Sequence, residues 1–345
     1  MPVLRAITAA CLILGLALAP AAAPAAESAG KLKDLGEFSI PGWFKVSFLN
    51  LPADAREAAA NDKHLLLVWY QDGCPYCARL INTNFSQKRT AEYTREHFDA
   101  IALNLWGSRQ VTSLSGETLT EKALGKELGV QFTPTLQVLD GSGEVVLRLN
   151  GYYPPDRFLA ALRYVGEGKA GEVAFDRYLE RHAGAKEGDG ELFDAPYLAE
   201  PPHDLAAADR PVAVLFEQTA CAGCDQLHRE ILSEEKARER LADFHVVQLD
   251  RWSDTEVVTP GGETTTVKQW GDQLGLRYIP AMVLFDGGRE IIRMESLLKG
   301  FHVRSLLAYV ASDAYRDQPR FQLYLQKRSK RLRDKGVTVD LWEED

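Results

Sequence analysis

Four of the five cysteines in this 345-residue chain fall into two C-x-x-C pairs, Cys74 with Cys77 and Cys221 with Cys224. Two sulfurs about one helical turn apart can form and break a disulfide, the second thiol displacing whatever the first has captured. Each pair follows a short apolar run, Leu65-Leu66-Leu67-Val68-Trp69 and Val212-Ala213-Val214-Leu215-Phe216, that reads as a buried strand. A cysteine at the start of a helix entered from such a strand has backbone N–H groups and the positive end of the helix dipole beside its sulfur. Both favour the thiolate, the attacking species. The spacing therefore predicts redox chemistry, with Cys74 as nucleophile and Cys77 as resolving thiol. A stapling role is disfavoured, because a pair three positions apart closes too small a loop to restrain the unfolded chain. The competing readings are inert buried cysteines, a structural zinc site shared by both pairs, and copper or zinc capture by the second pair with His228, four positions beyond Cys224.

The elements that must hold these residues occur twice. Leu103-Asn104-Leu105-Trp106 answers Leu249-Asp250-Arg251-Trp252, and Gly116-Glu117-Thr118-Leu119-Thr120 answers Gly262-Glu263-Thr264-Thr265-Thr266. Phe132-Thr133-Pro134-Thr135 answers Tyr278-Ile279-Pro280-Ala281, and Phe175-Asp176-Arg177-Tyr178-Leu179 answers Phe321-Gln322-Leu323-Tyr324-Leu325, all at an offset of 146, while the first cysteines lie 147 apart. Ordered matches within one position of a single offset mark a duplicated unit. In each unit the order is strand, C-x-x-C turn, helix, strand, polar hairpin-like insert, helix, proline, two strands and a final helix. That order predicts an α/β fold around one sheet, the last two strands forming a hairpin across Asp140-Gly141-Ser142-Gly143 or Asp286-Gly287-Gly288. Pro134 and Pro280 lie 60 and 59 positions after the first cysteines, each ahead of an apolar strand, so both X-Pro bonds are candidates for the cis form. A cis bond facing the disulfide exposes backbone groups for an extended substrate. Trp106 and Trp252 read as buried aromatics at strand ends rather than substrate contacts. Residues 41–50 are a candidate edge strand.

Composition bounds the partners. A net charge of -9 offers no general attraction for nucleic acid or anionic lipid, and 46% hydrophobic residues suffice for packed cores. Arg5, an apolar run from Ala6 to Ala19 and Ala23-Pro24-Ala25 read as a secretory signal peptide, whose removal takes Cys11 with it. The expected organisation is a signal peptide over 1–25, a first domain over 26–182, a linker over 183–205, Gly-rich and then Pro-stiffened, and a second domain over 206–345 ending in a basic helix. The signal-peptide reading makes the expected location periplasmic or otherwise exported, and no mature segment is long and apolar enough to span a bilayer.

Through Gln71-Asp72-Gly73-Cys74-Pro75-Tyr76-Cys77, Phe132-Thr133-Pro134-Thr135 and Gly151-Tyr152-Tyr153-Pro154-Pro155-Asp156, the first repeat resembles the thioredoxin superfamily. The narrower resemblance is to the periplasmic SoxW-like thioredoxins of bacterial sulfur oxidation. The second repeat is similar more loosely, through Phe216-Glu217-Gln218, Cys221-Ala222-Gly223-Cys224 and the Pro280 region. The resemblance implies two tandem thioredoxin-like domains, each a central mixed sheet flanked by helices, with Cys221 and Cys224 as second nucleophile and resolving thiol. It also implies cis-proline pairs at Thr133-Pro134 and Ile279-Pro280. The implied activity is a thiol–disulfide oxidoreductase that reduces exported protein disulfides using electrons from a membrane thiol–disulfide donor, with no cofactor beyond its disulfides and no metal. A disulfide oxidase or isomerase, or a binding or metal-chaperone protein with an inactive second domain, are the alternatives.

Three features depart from that pattern or lie outside it. Where the family keeps a buried acid six positions before the first cysteine, this chain has Val68 and Leu215. The nearer acids, Asp72 and Glu217, read as surface residues at strand ends. The run Lys327, Arg328, Lys330, Arg331, Arg333 and Lys335 reads as a solvated helix face, with residues 337–342 packing back on the second domain.

Overall fold

The structure, a computed structural model, describes residues 30–182, 191–296 and 298–342. The expected signal peptide and the Gly-rich start of the expected linker lie outside the described residues. After a short strand β1 (Leu32–Lys33), the first unit builds a sheet from β2 (His64–Tyr70), β3 (Phe98–Asn104), β6 (Thr135–Leu139) and β7 (Val145–Asn150), in the order β3-β2-β6-β7. Strand β2 runs parallel to β3 and antiparallel to β6, and β6 pairs antiparallel with β7. A two-stranded ribbon of β4 (Gln110–Thr112) and β5 (Thr118–Thr120) forms the polar insert.

The second unit repeats this plan. Its sheet has the order β13-β12-β8-β9, from β8 (Val212–Glu217), β9 (His245–Asp250), β12 (Ala281–Asp286) and β13 (Arg289–Met294), and its ribbon pairs β10 (Glu256–Val258) with β11 (Thr264–Thr266). The central strands are apolar from 65 to 69 and from 212 to 216, all of them buried, because helices cover both sheet faces. Even the caps repeat. Thr120 Oγ1 accepts from Ala123 N (3.2 Å) to start the helix Glu121–Glu127, and Thr266 Oγ1 accepts from Gln269 N (3.3 Å) to start Val267–Gln273.

The two units are not merely tethered. The core of the second includes Cys74, Tyr76 and Cys77 of the first, and Tyr278 of the second lies in the core of the first. The tail completes the connection: Val339 lies in the second unit's core with Leu341 and Trp342 packed against it, as the sequence leads one to expect, and the same residues also reach the first unit. Strand β14 (Val339–Asp340) pairs in parallel with β1, Leu32 opposite Val339, and the Trp342 ring lies 5.3 Å from that of Tyr76. The last residues thus pack on the first unit's C-x-x-C turn, held there because the basic helix Phe321–Asp334 delivers them to that side.

Residues 41–50 differ from expectation. They form no strand; Lys45 N donates to Ala100 O (2.8 Å), Thr112 N donates to Leu49 O (2.8 Å), and Asn50 bridges Thr112. Pro41 and the left-handed Leu49 (φ 59°) break the extended pairing that an edge strand needs. In the expected linker, Phe193 and Tyr197 pack against His228 and Ala199 N donates to Val246 O, so residues 193–199 lie on the second unit. Among the described residues, no helix is long and apolar enough to cross a membrane.

Candidate active site

Strand β2 ends at Tyr70, and the chain turns through Gly73, whose φ of 72° suits a residue without Cβ, into the helix Pro75–Arg79. Cys74 is that helix's N-cap in extended conformation, and its Sγ accepts the backbone N–H of Cys77 at 3.1 Å. Pro75 fits the first helical turn, where its missing N–H costs nothing. Cys74 and Cys77 are joined in a disulfide with a Cα–Cα separation of 5.2 Å. The Thr133–Pro134 bond is cis, and it brings the Thr133 carbonyl oxygen to 3.4 Å from Cys74 Sγ while Thr133 Oγ1 donates to the same sulfur at 3.5 Å. The helix then opens into a π-turn over Leu80–Asn84.

The second site has the same construction. Cys221 caps the helix Ala222–Gln226, its Sγ accepts from Cys224 N (3.1 Å), the two cysteines are disulfide-bonded, and a π-turn follows over Leu227–Leu232. The Ile279–Pro280 bond is cis. Gly223 sits so close that a Cβ there would lie 3.1 Å from Pro280 Cδ, which accounts for glycine between these cysteines.

The surroundings correct three sequence-based expectations. Glu217 is not at the surface: its side chain is fully buried, accepting from Gln248 Nε2 at 2.8 Å and pairing with His228 Nε2 at 2.8 Å, while Asp72 is exposed. Burial of this strand-end acid follows from its partners, which a period-two reading of β8 does not reveal. His228 turns its other ring nitrogen to the Tyr197 hydroxyl (2.5 Å) and stacks on Phe193, so neither nitrogen is left for a metal shared with Cys224. Among the described residues, no cluster of three or more potential metal ligands occurs. Trp106 and Trp252 are half-buried rather than buried, because each indole N–H reaches back to the glutamine ahead of the cysteines: Trp106 to Gln71 (2.7 Å) and Trp252 to Gln218 (3.0 Å).

Beside the first disulfide lies a cavity of about 270 Å³. Cys74 lines it and Cys77 does not, so the first sulfur is the one a ligand meets. Trp106 and Thr133 contribute from the first unit, and Leu325, Ser329 and Arg333 of the basic C-terminal helix contribute from the second. The basic run is therefore only partly a solvated face: Ser329 is buried and Arg333 half-buried against the site, whereas Lys327, Lys330, Arg331 and Lys335 are exposed. Tyr76 holds this arrangement, its hydroxyl accepting from Lys299 N (2.9 Å) and lying 3.2 Å from His302 Nδ1. Burial, with Arg304 adding to it, pushes His302 down to about 3, so its ring is neutral at ordinary pH. Sequence reasoning missed His302 and Ser329, and it singled out Arg333 only as part of a basic helix face. Only the 146-residue match between the helices starting at Phe175 and Phe321 hinted that these segments have equivalent roles.

Fold and site together define a protein of two α/β redox-type domains, each with a C-x-x-C disulfide at a helix N-terminus beside a cis-proline. The model of the thioredoxin-like domain matches residues 51–166 and again 202–311, and the chain belongs to that family. Among solved structures, it is similar to a thioredoxin-fold protein from Helicobacter pylori (32% identity, TM-score 0.31, covering 36% of this chain and 82% of that one). It is also similar to a thioredoxin from Thermus thermophilus (24% identity, TM-score 0.28, covering 35% and 87%). A third is the C-terminal domain of DsbD from Neisseria meningitidis in its reduced form (20% identity, TM-score 0.25, covering 33% and 88%). Comparison with curated proteins gives no match.

Proposed function

We propose that the protein is a periplasmic thiol–disulfide oxidoreductase that reduces disulfides of exported proteins, replenished by a membrane thiol–disulfide donor. The observation that carries this reading is Cys74: helix-capping, hydrogen-bonded through sulfur to the N–H of its partner and facing a cavity beside Thr133-Pro134. In the reduced protein the Cys74 thiolate, stabilised by that N–H and the helix dipole, attacks a substrate disulfide. A mixed disulfide forms and one substrate thiolate leaves. Cys77 then attacks Cys74 Sγ, releases the second thiolate and restores the Cys74–Cys77 disulfide.

For the second domain, one observation favours a binding role. The Ile279 carbonyl, placed to pair with an extended substrate, instead accepts from Arg157 of the first domain at 3.1 Å. Cys221, Cys224, Ile279 and Pro280 form a second exchange site only if that contact opens.

Equilibration in thiol redox buffers, followed by alkylation and peptide mass analysis of each pair, tests both readings. A first-pair potential at or below about -220 mV supports a reductase, whereas a value near about -120 mV makes it an oxidase or isomerase. A second pair that never titrates makes its domain a binding module.

A further inference from the structure

Two residues that line the cavity beside Cys74 each carry a buried polar atom with no partner among the described residues. Ser329 is 7% exposed, yet its Oγ has no hydrogen-bond partner among the described residues, and neither does the buried Nε of Arg333. Leaving such groups dry and unpaired costs free energy that no hydrogen bond among the described residues offsets. Both belong to the helix Phe321–Asp334, and both line the cavity that Cys74 faces.

The other walls are largely apolar, with Phe132, Phe301, Leu325 and Leu341 among them. Of the ionisable lining groups, the neutral His302 carries no charge and Asp72, exposed at the rim, already accepts from Asn104 Nδ2. Among the described residues, Arg333 is the one cation in the lining.

The volume, about 270 Å³, lies at the small end of the roughly 300–1,000 Å³ typical of ligand sites. A folded protein or extended peptide meets an obstacle. The backbone ahead of Pro134 faces the C-terminal helix, with the Phe132 and Phe321 rings 5.5 Å apart and Gln131 Oε1 accepting from Phe321 N.

We infer that this cavity is a binding site for small disulfides carrying an apolar body and a carboxylate, which Arg333 and Ser329 hold while Cys74 attacks. The inference rests on the redox reading above and adds a substrate class that reaches the first site without displacing the helix. The electron balance is that of dithiol exchange. Cys74 and Cys77 are oxidised to their disulfide, the bound R–S–S–R is reduced to two thiolates, and a dithiol donor re-reduces the protein.

The test uses the full mature chain with Cys221→Ser and Cys224→Ser, so that thiolate release reports the first site, reduced with dithiothreitol and then freed of it. Oxidation is followed with 5,5′-dithiobis(2-nitrobenzoate), an aryl disulfide with carboxylates, and with uncharged 2,2′-dithiodipyridine. We expect saturation with the carboxylate probe. Arg333→Gln raises its half-saturating concentration about tenfold and Arg333→Lys recovers most of that loss, while rates with the uncharged probe stay within twofold. Ser329→Phe, which fills the cavity, slows both probes at least tenfold. The site is overturned if Arg333→Gln leaves the carboxylate probe unaffected or slows both probes equally. If the parent oxidises with neither probe, or does so equally after Cys74→Ser, the redox reading itself falls.

Discussion

Cys74 and Cys77 have different surroundings, and that difference orders their chemistry. Cys74 lines the cavity and sits 3.4 Å from the Thr133 carbonyl; Cys77 is 1% exposed behind it. A Cys77→Ser variant is therefore expected to stall after the first attack and hold substrate as a mixed disulfide on Cys74, visible as a protein adduct by intact mass. Cys74→Ser is expected to lower disulfide reduction roughly a hundredfold or more, since the buried Cys77 cannot replace it. His302 makes a second prediction, through pH. Its imidazole titrates near 3 in the folded protein against about 6.5 when unfolded. The unfolded chain therefore binds the extra proton first, and stability is complete above pH 6.5 and falls as pH drops toward 3. Because the ring keeps some solvent exposure, we expect about 2 kcal/mol rather than the full shift. Urea denaturation of His302→Gln between pH 7 and 4 should show a shallower acid-side loss than the parent; an identical slope would remove His302 as the cause.

Strands and hairpin turns were legible in the sequence because each is written in one local stretch. The apolar runs gave β2 and β8, the Asp-Gly turns gave the hairpins, and the 146-residue offset gave the duplication. Contacts between elements were not legible. Glu217 ends β8, where its charge and strand-end position suggest the surface, yet the π-turn over Leu227–Leu232 brings His228 onto it and β9 supplies Gln248. In the first unit Tyr70 occupies the matching place and packs on Phe38, so no repeat comparison exposes the acid. Replacing Glu217 with Ala leaves His228 Nε2 and Gln248 Nε2 without their buried acceptor. We expect a loss of about 2–4 kcal/mol by urea denaturation, with Glu217→Gln retaining part of it. A loss under 1 kcal/mol would mean that the site relaxes around the cavity.

At the scale of the molecule, each unit covers the other's redox face. Helix Phe321–Asp334 lies over the first site, where Gln71 Nε2 donates to Gln322 Oε1 (3.0 Å) and Arg320 stacks on Trp106 at 4.4 Å. The matching helix Phe175–His182 lies over the second, where Arg177 stacks on Trp252 at 3.6 Å and Asp176 pairs with Arg251. Cores that include residues of both units should not melt separately, so a single unfolding transition is expected, with tryptophan fluorescence and far-ultraviolet dichroism coincident in urea. Two separated transitions would show that the shared contacts contribute little. The same covering leaves Cys74 only 3% exposed, so access to it depends on elements that can be removed. Truncation after Lys335 removes β14, the cavity wall at Leu341 and the Trp342 ring against Tyr76, while sparing the helix itself. Alkylation of Cys74 in the reduced, truncated protein is expected to accelerate about tenfold, equivalent to about 1.4 kcal/mol of lost closure. Reduction of insulin should accelerate with it, because a protein disulfide needs the wider opening more than a small one does. Faster alkylation without faster insulin reduction would assign the barrier to the helix Phe321–Asp334 rather than to the tail. Unchanged alkylation would show that the tail packs on the turn without guarding its sulfur.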